Sequence, residues 1–319
     1  MNQQIVYKDG EFLPEQATRV PILTHGLQYG TGVFEGIRAY RQAETEEIHL
    51  FRALEHFERM SRNVKFLHMH LEHTPAELVE VAAELVRRNR HDSDVYIRPV
   101  AFKSTTKVGV QLSPEHSFAM MSVPMGDYLD THKGLHCGVS SWRRLSDNAI
   151  PCRAKICGAY VNSALAAQEA RDRGYDEAIF LNEAGSVAEG SAMNIFIVRD
   201  GRLITPDVTQ GILEGVTRDS VITLASDALR LVTEARCVDR AELYVADEVF
   251  LCGTAAQIAP VTRIDGREVG DGVPGNVTLA LRDLYDRSVR GRMPAYGRWL
   301  HPVRTGSEAG VPHAVIAGL

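Results

Sequence analysis

The segment IPCRAKICGAY, residues 150–160, contains the lysine whose surroundings best suit covalent chemistry. Lys155 has isoleucine, cysteine, alanine and glycine as neighbours and stands just before a predicted helix. Burial among apolar side chains lowers the pKa of a lysine amine, and the uncharged amine is a nucleophile that attacks carbonyl carbons. The same segment also suits an ordinary surface lysine at a helix start. The sequence therefore marks Lys155 as a candidate nucleophile.

Three further segments suit the binding of a charged ligand. Glu189 stands between two apolar stretches, where its carboxylate could enter a pocket or simply occupy a turn. Gly215 and Thr217 open a predicted helix over 217–231, whose first amides could bind a phosphate, although Thr217 also suits a plain helix cap. The Gly-Thr-Ala loop at 253–255 follows an apolar strand and could present amides to a carboxylate. Each pattern is weak by itself.

Other motifs indicate which chemistry to exclude. The glycines of YGTGVFEG, residues 29–36, are spaced GxGxxxG, which differs from the dinucleotide-binding fingerprint, and the chain contains neither a Walker sequence nor GxSxG. His68, His70 and His73 form an HxHxxH cluster that could bind a metal ion or could be exposed polar residues at a helix–strand junction. We predict no metal site.

Composition is that of a globular chain large enough for two domains. The chain has 319 residues, of which 45% are hydrophobic and 24% charged, and its net charge is −6. Because no basic run exceeds two residues, we expect no nucleic-acid partner. No apolar stretch is long enough for a membrane span, and the first residues lack the apolar core of a signal peptide, so we predict a cytoplasmic protein. The five cysteines are irregularly spaced and predict reduced thiols.

Periodicity predicts a small α/β domain followed by a β-rich domain. Alternating and three-to-four spaced apolar residues predict, in order, a hairpin (4–13), a strand (47–51), two helices (52–66 and 75–91) and two strands (95–102 and 118–124). The predicted domains are a small α/β domain (1–124), an interdomain loop (125–134), a large ligand-binding domain (135–303) and a tail (304–319).

Eight segments in one collinear order resemble a known family. They are THGLQYGTGVFEGIRAY (24–40), EHFERM (55–60), VYIRPVAF (95–102), IPCRAKICGAYVNSALAAQEARDRGYDEAIFL (150–181), VAEGSAMNIFIV (187–198), LEGVTRDSV (213–221), LYVADEVFLCGTAAQIAPV (243–261) and YGRWLHPV (296–303). Together they resemble the class IV aminotransferases, and within them the bacterial branched-chain amino acid aminotransferases. The resemblance covers nearly the whole chain and implies a two-domain, mixed α+β fold-type IV enzyme with a pseudo-barrel second domain.

The resemblance implies pyridoxal 5′-phosphate (PLP) as the cofactor and assigns roles by position. Lys155 would hold PLP as a Schiff base and move the proton of the substrate Cα. No lysine follows Lys155 in the chain, which agrees with this assignment. Glu189 would pair with the pyridine nitrogen and Tyr160 with the phenolic oxygen of the ring. The remaining implied cofactor-binding residues, mostly at the phosphate, are Arg59, Leu213, Val216, Thr217 and Thr254.

The resemblance also implies how the substrate and a second subunit are bound. Substrate carboxylates would meet Tyr96, Arg98, Thr254 and Ala255. The side-chain pocket would be walled by Tyr29, Phe34 and Tyr128. The loop that carries Tyr128 would come from a neighbouring subunit, which implies a homodimer or a larger assembly such as a hexamer.

The implied reaction is a ping-pong transfer from L-leucine, L-isoleucine or L-valine to 2-oxoglutarate through pyridoxamine phosphate. The chain departs from the family pattern at Ala159, where asparagine is frequent, and at Met193 and Gln257, where glutamate is frequent. These departures leave the substrate range open. The alternatives are a D-amino acid aminotransferase, an aminodeoxychorismate lyase, a specialised aminotransferase of secondary metabolism, a non-catalytic small-molecule-binding relative, and a hydrolase built on the histidine cluster.

Overall fold

The computed structural model divides the chain into two compact units, each described here by itself. The described residues are 4–42, 44–126 and 133–303. The first unit comprises Met1–Gly126 and Val289–Leu319, and the second unit comprises Asp127–Ser288. The predicted pocket residue Tyr128 and the predicted tail 304–319 lie outside the described residues. Across the three described ranges, no helix is both long and apolar enough to cross a lipid bilayer.

The first unit is a sheet covered by helices. Its elements before residue 127 are β1 (Ile5–Lys8), β2 (Glu11–Pro14), α1 (His25–Tyr29), β3 (Gly32–Phe34), β4 (Ile37–Arg41), β5 (Ile48–Phe51), α2 (Ala53–Asn63), α3 (Pro75–Asn89), β6 (Val95–Lys103) and β7 (His116–Pro124). The hairpin β1–β2 and the pair β6–β7 confirm the predicted strands, and α2 and α3 confirm the predicted helices within two or three residues at each end.

Local sequence explains two of these elements. In β6 the residues Val95, Ile97 and Ala101 are buried and alternate with half-buried neighbours, which is the period of a strand packed on one face. The helix α3 begins with a capping box, in which the side chain of Thr74 accepts from the Glu77 amide while the Glu77 carboxylate accepts from the Thr74 amide. The buried face of α3 packs with α2 against the core side of this sheet.

Two short strands share one partner in the first unit. Both β3 and β4 pair antiparallel with β6, β3 at Phe34 opposite Val100 and β4 at Ile37 opposite Ile97. Glu35 and Gly36 lie at the break between them, and the Glu35 amide donates to the Pro99 carbonyl at 3.0 Å. The break turns the Glu35 side chain out of the strand pattern, and this becomes important at the site.

The second unit is a nine-stranded mixed sheet. Its elements are β8 (Leu135–Arg143), α4 (Tyr160–Asp172), β9 (Glu177–Leu181), β10 (Val187–Gly190), β11 (Asn194–Arg199), β12 (Arg202–Pro206), α5 (Val216–Leu229), β13 (Thr233–Arg236), β14 (Glu248–Gly253), β15 (Gln257–Ile264), β16 (Arg267–Glu268) and α6 (Asn276–Val289). The strand order is β10-β9-β8-β15-β14-β11-β12-β13, and β16 pairs with β15. Burial of whole strands such as β9 and β11 matches their continuous apolar runs.

The chain ends its described part back in the first unit. The last strand, β17 (Leu300–Val303), pairs antiparallel with β5 and forms one edge of the first sheet, whose order is β17-β5-β4-β6-β7-β1-β2. The sequence analysis had extended the second domain to residue 303. The pairing differs because a strand of four residues takes whichever sheet edge its connection reaches, and sequence pattern alone does not record that edge.

A buried carboxylate ties two strand ends together in the second unit. Glu177, the first residue of β9, has only 8% of its surface exposed. Its Oε1 atom accepts from the amides of Ala178 at 2.7 Å and Ser191 at 3.2 Å. Burial raises the pKa of this carboxyl, and the hydrogen bonds from Ser191 and Ala178 only partly oppose the increase.

We therefore expect Glu177→Gln to stabilise the protein at neutral and alkaline pH. A carboxyl with a raised folded-state pKa binds its proton more tightly in the folded chain. The wild type thus loses stability as pH rises from the ordinary value of 4.5 through the raised folded value. Urea unfolding at pH 4 and pH 8 should show the variant more stable only at pH 8. The exposed Glu183→Gln is the control, and a Glu177→Gln chain that is less stable at both pH values would contradict the argument.

Candidate active site

The candidate nucleophile contacts a tyrosine hydroxyl in the second unit. Lys155 is half-buried and stands just before a short 3₁₀ turn, Cys157–Ala159, that continues directly into α4. This turn brings Tyr160, the first residue of α4, back over the lysine. The Nζ atom of Lys155 donates to the Tyr160 hydroxyl at 2.5 Å and lies 5.1 Å from the centre of its ring. The two residues expected to act together are therefore in direct contact.

Glu189 is a buried carboxylate that accepts from three groups. It lies in β10 with 4% of its surface exposed. Its Oε1 atom forms an ion pair with Arg144 Nη2 at 2.8 Å, while Oε2 accepts from the Asn194 side-chain amide at 3.1 Å and the Leu213 backbone amide at 3.0 Å. Burial raises the pKa of Glu189, whereas Arg144, the Leu213 amide and Lys155 favour the ionised form and oppose that increase.

The segment before α5 joins the carboxylate to a helix start. Asn194, at the beginning of β11, donates both to Glu189 and to the Leu213 carbonyl at 2.9 Å, so it fixes this loop against the carboxylate. Two residues later Gly215 caps α5, and the first helical residues, Val216 and Thr217, are buried. Leu213, Val216 and Thr217 therefore follow Glu189 in one connected arrangement. Amides at a helix start are suited to an anion.

The remaining predicted residues of the second unit lie in a tight turn. Thr254 and Ala255 occupy the connection between β14 and β15, whose ends pair at Gly253 and Gln257. Gln257 adopts a positive φ of 56°, a conformation that favours glycine over side-chain-bearing residues. This strained residue closes the turn that holds Thr254 and Ala255.

In the first unit, Arg59 lies in a buried ion-pair cluster. Its Nε and Nη2 atoms donate to the two oxygens of Glu35, each at 2.7 Å, a bidentate pair. His56, one turn earlier on α2, places Nδ1 2.9 Å from the same carboxylate. Burial by itself raises the pKa of Glu35, but Arg59 and His56 outweigh it and hold the pKa far below its ordinary value. Arg59, expected at a phosphate, is thus oriented by a carboxylate that the sequence analysis did not single out.

The expected substrate-side residues of the first unit form a stack on β6. The guanidinium carbon of Arg98 lies 4.4 Å from the centre of the Phe34 ring, and its Nη2 atom donates to the Tyr96 hydroxyl at 2.7 Å. Gly36 faces this hydroxyl, and a Cβ atom there would overlap it. Tyr29 lies apart from the stack as described, with 41% of its surface exposed, and its hydroxyl accepts from the Gly109 amide at 3.3 Å.

The histidine cluster does not assemble as its spacing suggested. His73 Nε2 lies 2.6 Å from the Tyr7 hydroxyl, and the His68 carbonyl accepts from Lys103. Only His70 joins other candidate ligands, Glu72 and His116, within the described part of the chain. The two ring nitrogens of His116 lie 2.8 and 3.0 Å from the backbone carbonyls of Pro114 and His70, so this ring faces acceptors rather than a cation.

Comparison with known proteins identifies the family. The family model described as amino-transferase class IV matches residues 32–264. The chain belongs to the class IV aminotransferases. As one of them, it is 46% identical over 305 residues to a curated relative, the probable branched-chain-amino-acid aminotransferase of Aquifex aeolicus, and the match covers 95% of this chain and 97% of the relative.

Solved structures agree with this assignment. The branched-chain aminotransferase of Thermoproteus uzoniensis with norvaline has a TM-score of 0.91 and 43% identity, covering 95% of this chain and 100% of that one. The branched-chain amino acid aminotransferase of T.th., complexed with N-(5′-phosphopyridoxyl)-L-glutamate, has a TM-score of 0.89 and 42% identity over the same shares. The expected mixed α+β fold of this class IV aminotransferase is confirmed.

Sequence reasoning missed three polar residues of this class IV aminotransferase. Arg144, Asn194 and Glu35 each contact a predicted site residue, yet none carries a local signal. Arg144 is the second of two consecutive arginines, and the pattern gives no reason to prefer it over Arg143. A buried Glu189 does require a compensating cation, so the requirement was visible although its source was not.

Breaking the Glu35–Arg59 pair should destabilise the protein strongly. Glu35→Leu leaves the buried Arg59 charge without its counter-ion, and we expect a loss of about 3–5 kcal/mol in the free energy of unfolding. The double variant Glu35→Leu/Arg59→Met removes both charges and should recover most of that loss. Urea unfolding at pH 7 measures both. Equal losses in the single and double variants would show that the packing, and not the charge, matters.

Gly215→Ala should disturb the Glu189 environment through Asn194. A Cβ atom at Gly215 would overlap the side-chain oxygen of Asn194, which then cannot keep both of its hydrogen bonds. We expect a cost of about 1–3 kcal/mol in thermal or urea unfolding. Gly297→Ala, where an added Cβ meets nothing within 4 Å, is the matched control. Equal stability of the two variants would refute the close approach.

Proposed function

We propose that this chain is a PLP-dependent branched-chain amino acid aminotransferase that transfers the amino group of L-leucine, L-isoleucine or L-valine to 2-oxoglutarate. The observation that carries the proposal is the pairing, within one unit, of the Lys155–Tyr160 contact with the buried Glu189 carboxylate. The relatives described above are named for this activity, and one was solved with a phosphopyridoxyl-glutamate adduct. That adduct supports glutamate as the product formed from the second substrate.

The residues present fit PLP. An ionised carboxylate offers about four lone-pair directions, and the described contacts of Glu189 use three of them. One acceptor direction therefore suits the N–H of a pyridinium ring. Lys155 supplies the amine for an aldehyde, and the α5 start at Val216 and Thr217 suits a phosphate. We assign Arg59, Leu213 and Thr254 to the same cofactor on the resemblance to the family.

When bound, PLP supplies a ring that accepts the electron pair left at the substrate Cα. The residues of the chain do the rest. Lys155 Nζ removes the proton from the Cα atom and returns it to the adjacent carbon of the transferred group. The Tyr160 hydroxyl, which accepts from Nζ, orients that amine and the phenolic oxygen of the ring. Glu189 keeps the ring nitrogen protonated.

The substrate groups are assigned by their chemistry. In the first unit, Arg98 and the Tyr96 hydroxyl are suited to a carboxylate, and the aromatic rings of Phe34 and Tyr29 are suited to an apolar side chain. In the second unit, we assign the Thr254 and Ala255 amides to the substrate carboxylate. Tyr128, outside the described residues, is proposed to complete the pocket from a neighbouring subunit.

We further propose a cytoplasmic homodimer, with a hexamer as the larger assembly to test. The described cysteines are all unpaired, which suits a reducing compartment. On the first unit, a groove of about 480 Å³ is lined by apolar residues of the sheet face, including Val100, Phe102, Met121 and Val123. Met121 and Val123 are 40% and 39% exposed, and an apolar face of this kind suits a second copy of the chain.

The absorption spectrum of the purified protein tests the proposed function. We expect the visible band of lysine-linked PLP, and we expect L-leucine added without any 2-oxo acid to convert it to the pyridoxamine form. Lys155→Ala should abolish the band, because the covalent link is lost, whereas the exposed Lys133→Ala should keep it. A band that responds to D-alanine and not to L-leucine would overturn the branched-chain assignment. A protein without the band would overturn the PLP assignment.

A further inference from the structure

Arg144 is a buried arginine held from several sides. It follows directly after β8 and has 8% of its surface exposed. Its backbone amide donates to the Leu181 carbonyl at 2.9 Å, and its Nε donates to the Gly211 carbonyl at 3.4 Å. Its guanidinium carbon lies 5.6 Å from the centre of the Phe180 ring. These contacts fix the guanidinium in one place, with Nη2 aimed at Glu189.

The contacts of Glu189 divide between its two oxygens. Arg144 contacts Oε1, whereas Asn194 and the Leu213 amide both contact Oε2. The cation and the neutral donors therefore hold the carboxylate from opposite sides and prevent its rotation. Only Arg144 among these three contacts brings a full positive charge. The other two donors orient the carboxylate but do little to offset the loss of its hydration.

The other titratable groups around this pair do not replace Arg144. Those that face Glu189 or Arg144 electrostatically are Lys155, Tyr160, Cys152 and Cys252. Burial raises the pKa of the Cys252 thiol to about 12 and also raises that of Cys152, so both are uncharged near neutral pH. Lys155 must be uncharged whenever it acts as a nucleophile or as a base. Arg144 stays protonated throughout, because a guanidinium does not titrate in a protein.

We propose that Arg144 is a positioning residue that keeps Glu189 ionised and fixed in orientation, so that Glu189 holds a proton on the ring nitrogen of PLP. The inference rests on the proposed function. Arg144 does not touch the cofactor and exchanges no proton; it acts through Glu189. Without it, the buried carboxylate would take up a proton, and the ring nitrogen would lose its partner.

The first test uses the holoenzyme and compares Arg144→Gln with Arg144→Lys. Loss of the ring-nitrogen proton makes the ring less electron-withdrawing, and this raises the pH at which the lysine-linked cofactor loses its own proton. In Arg144→Gln we expect the spectral transition to move up by about one pH unit and the dissociation constant for PLP to rise at least ~10-fold. Arg144→Lys, which retains the charge, should restore most of both properties. The adjacent exposed Arg143→Gln is the matched control and should behave as the wild type.

The second test uses the apoprotein and does not require the cofactor. Arg144→Gln should lower the urea midpoint at pH 8, because it leaves a buried carboxylate without its cation. Adding Glu189→Gln in the same chain should recover most of that loss. If the losses of the two single variants simply add, the charges are not coupled and the inference is overturned.

The outcomes separate this inference from the proposed function. A wild-type chain that binds no PLP would overturn both. A wild-type chain that binds PLP, with an Arg144→Gln variant of unchanged spectral transition and affinity, would overturn only the role of Arg144. A shifted transition that Arg144→Lys restores and Arg143→Gln does not produce would support it.

Discussion

A carboxylate buried away from water must be offset by a cation, and each unit of this chain meets that requirement with an arginine. Glu35 meets Arg59 in the first unit, and Glu189 meets Arg144 in the second. Because breaking such a pair costs far more than its presence contributes, the surrounding backbone must keep the two partners in register. Strand breaks, caps and loops near both sites are therefore constrained by charge as much as by packing.

Small residues make these arrangements possible. At Gly36 and Gly215 the missing Cβ leaves room for the Tyr96 hydroxyl and for the Asn194 amide. In each case a polar side chain that orients a charged group lies directly against the backbone. Neither glycine adopts a left-handed conformation, so the requirement is one of space and not of backbone freedom.

How much the sequence predicts depends on how local each feature is. Helices and strands followed from apolar periodicity, and the Lys155–Tyr160 contact joins residues only five positions apart on one turn. The partners of Glu35 and Glu189 come from other elements, and periodicity does not say which elements become neighbours. The same limit explains β17, whose four residues pair with β5 across the whole length of the second unit. The resemblance supplied the predicted site residues; it supplied none of the arginine and asparagine contacts that orient them.

The late position of β17 has a consequence for synthesis on the ribosome. The first unit is interrupted by the entire second unit, so β5 lacks its outer neighbour until residues 300–303 have left the exit tunnel. Through that interval the growing chain carries an open strand edge, the feature that most readily pairs with other chains. Completion of the first unit is thus tied to completion of translation, and a chain released early would lack the strand that closes this edge.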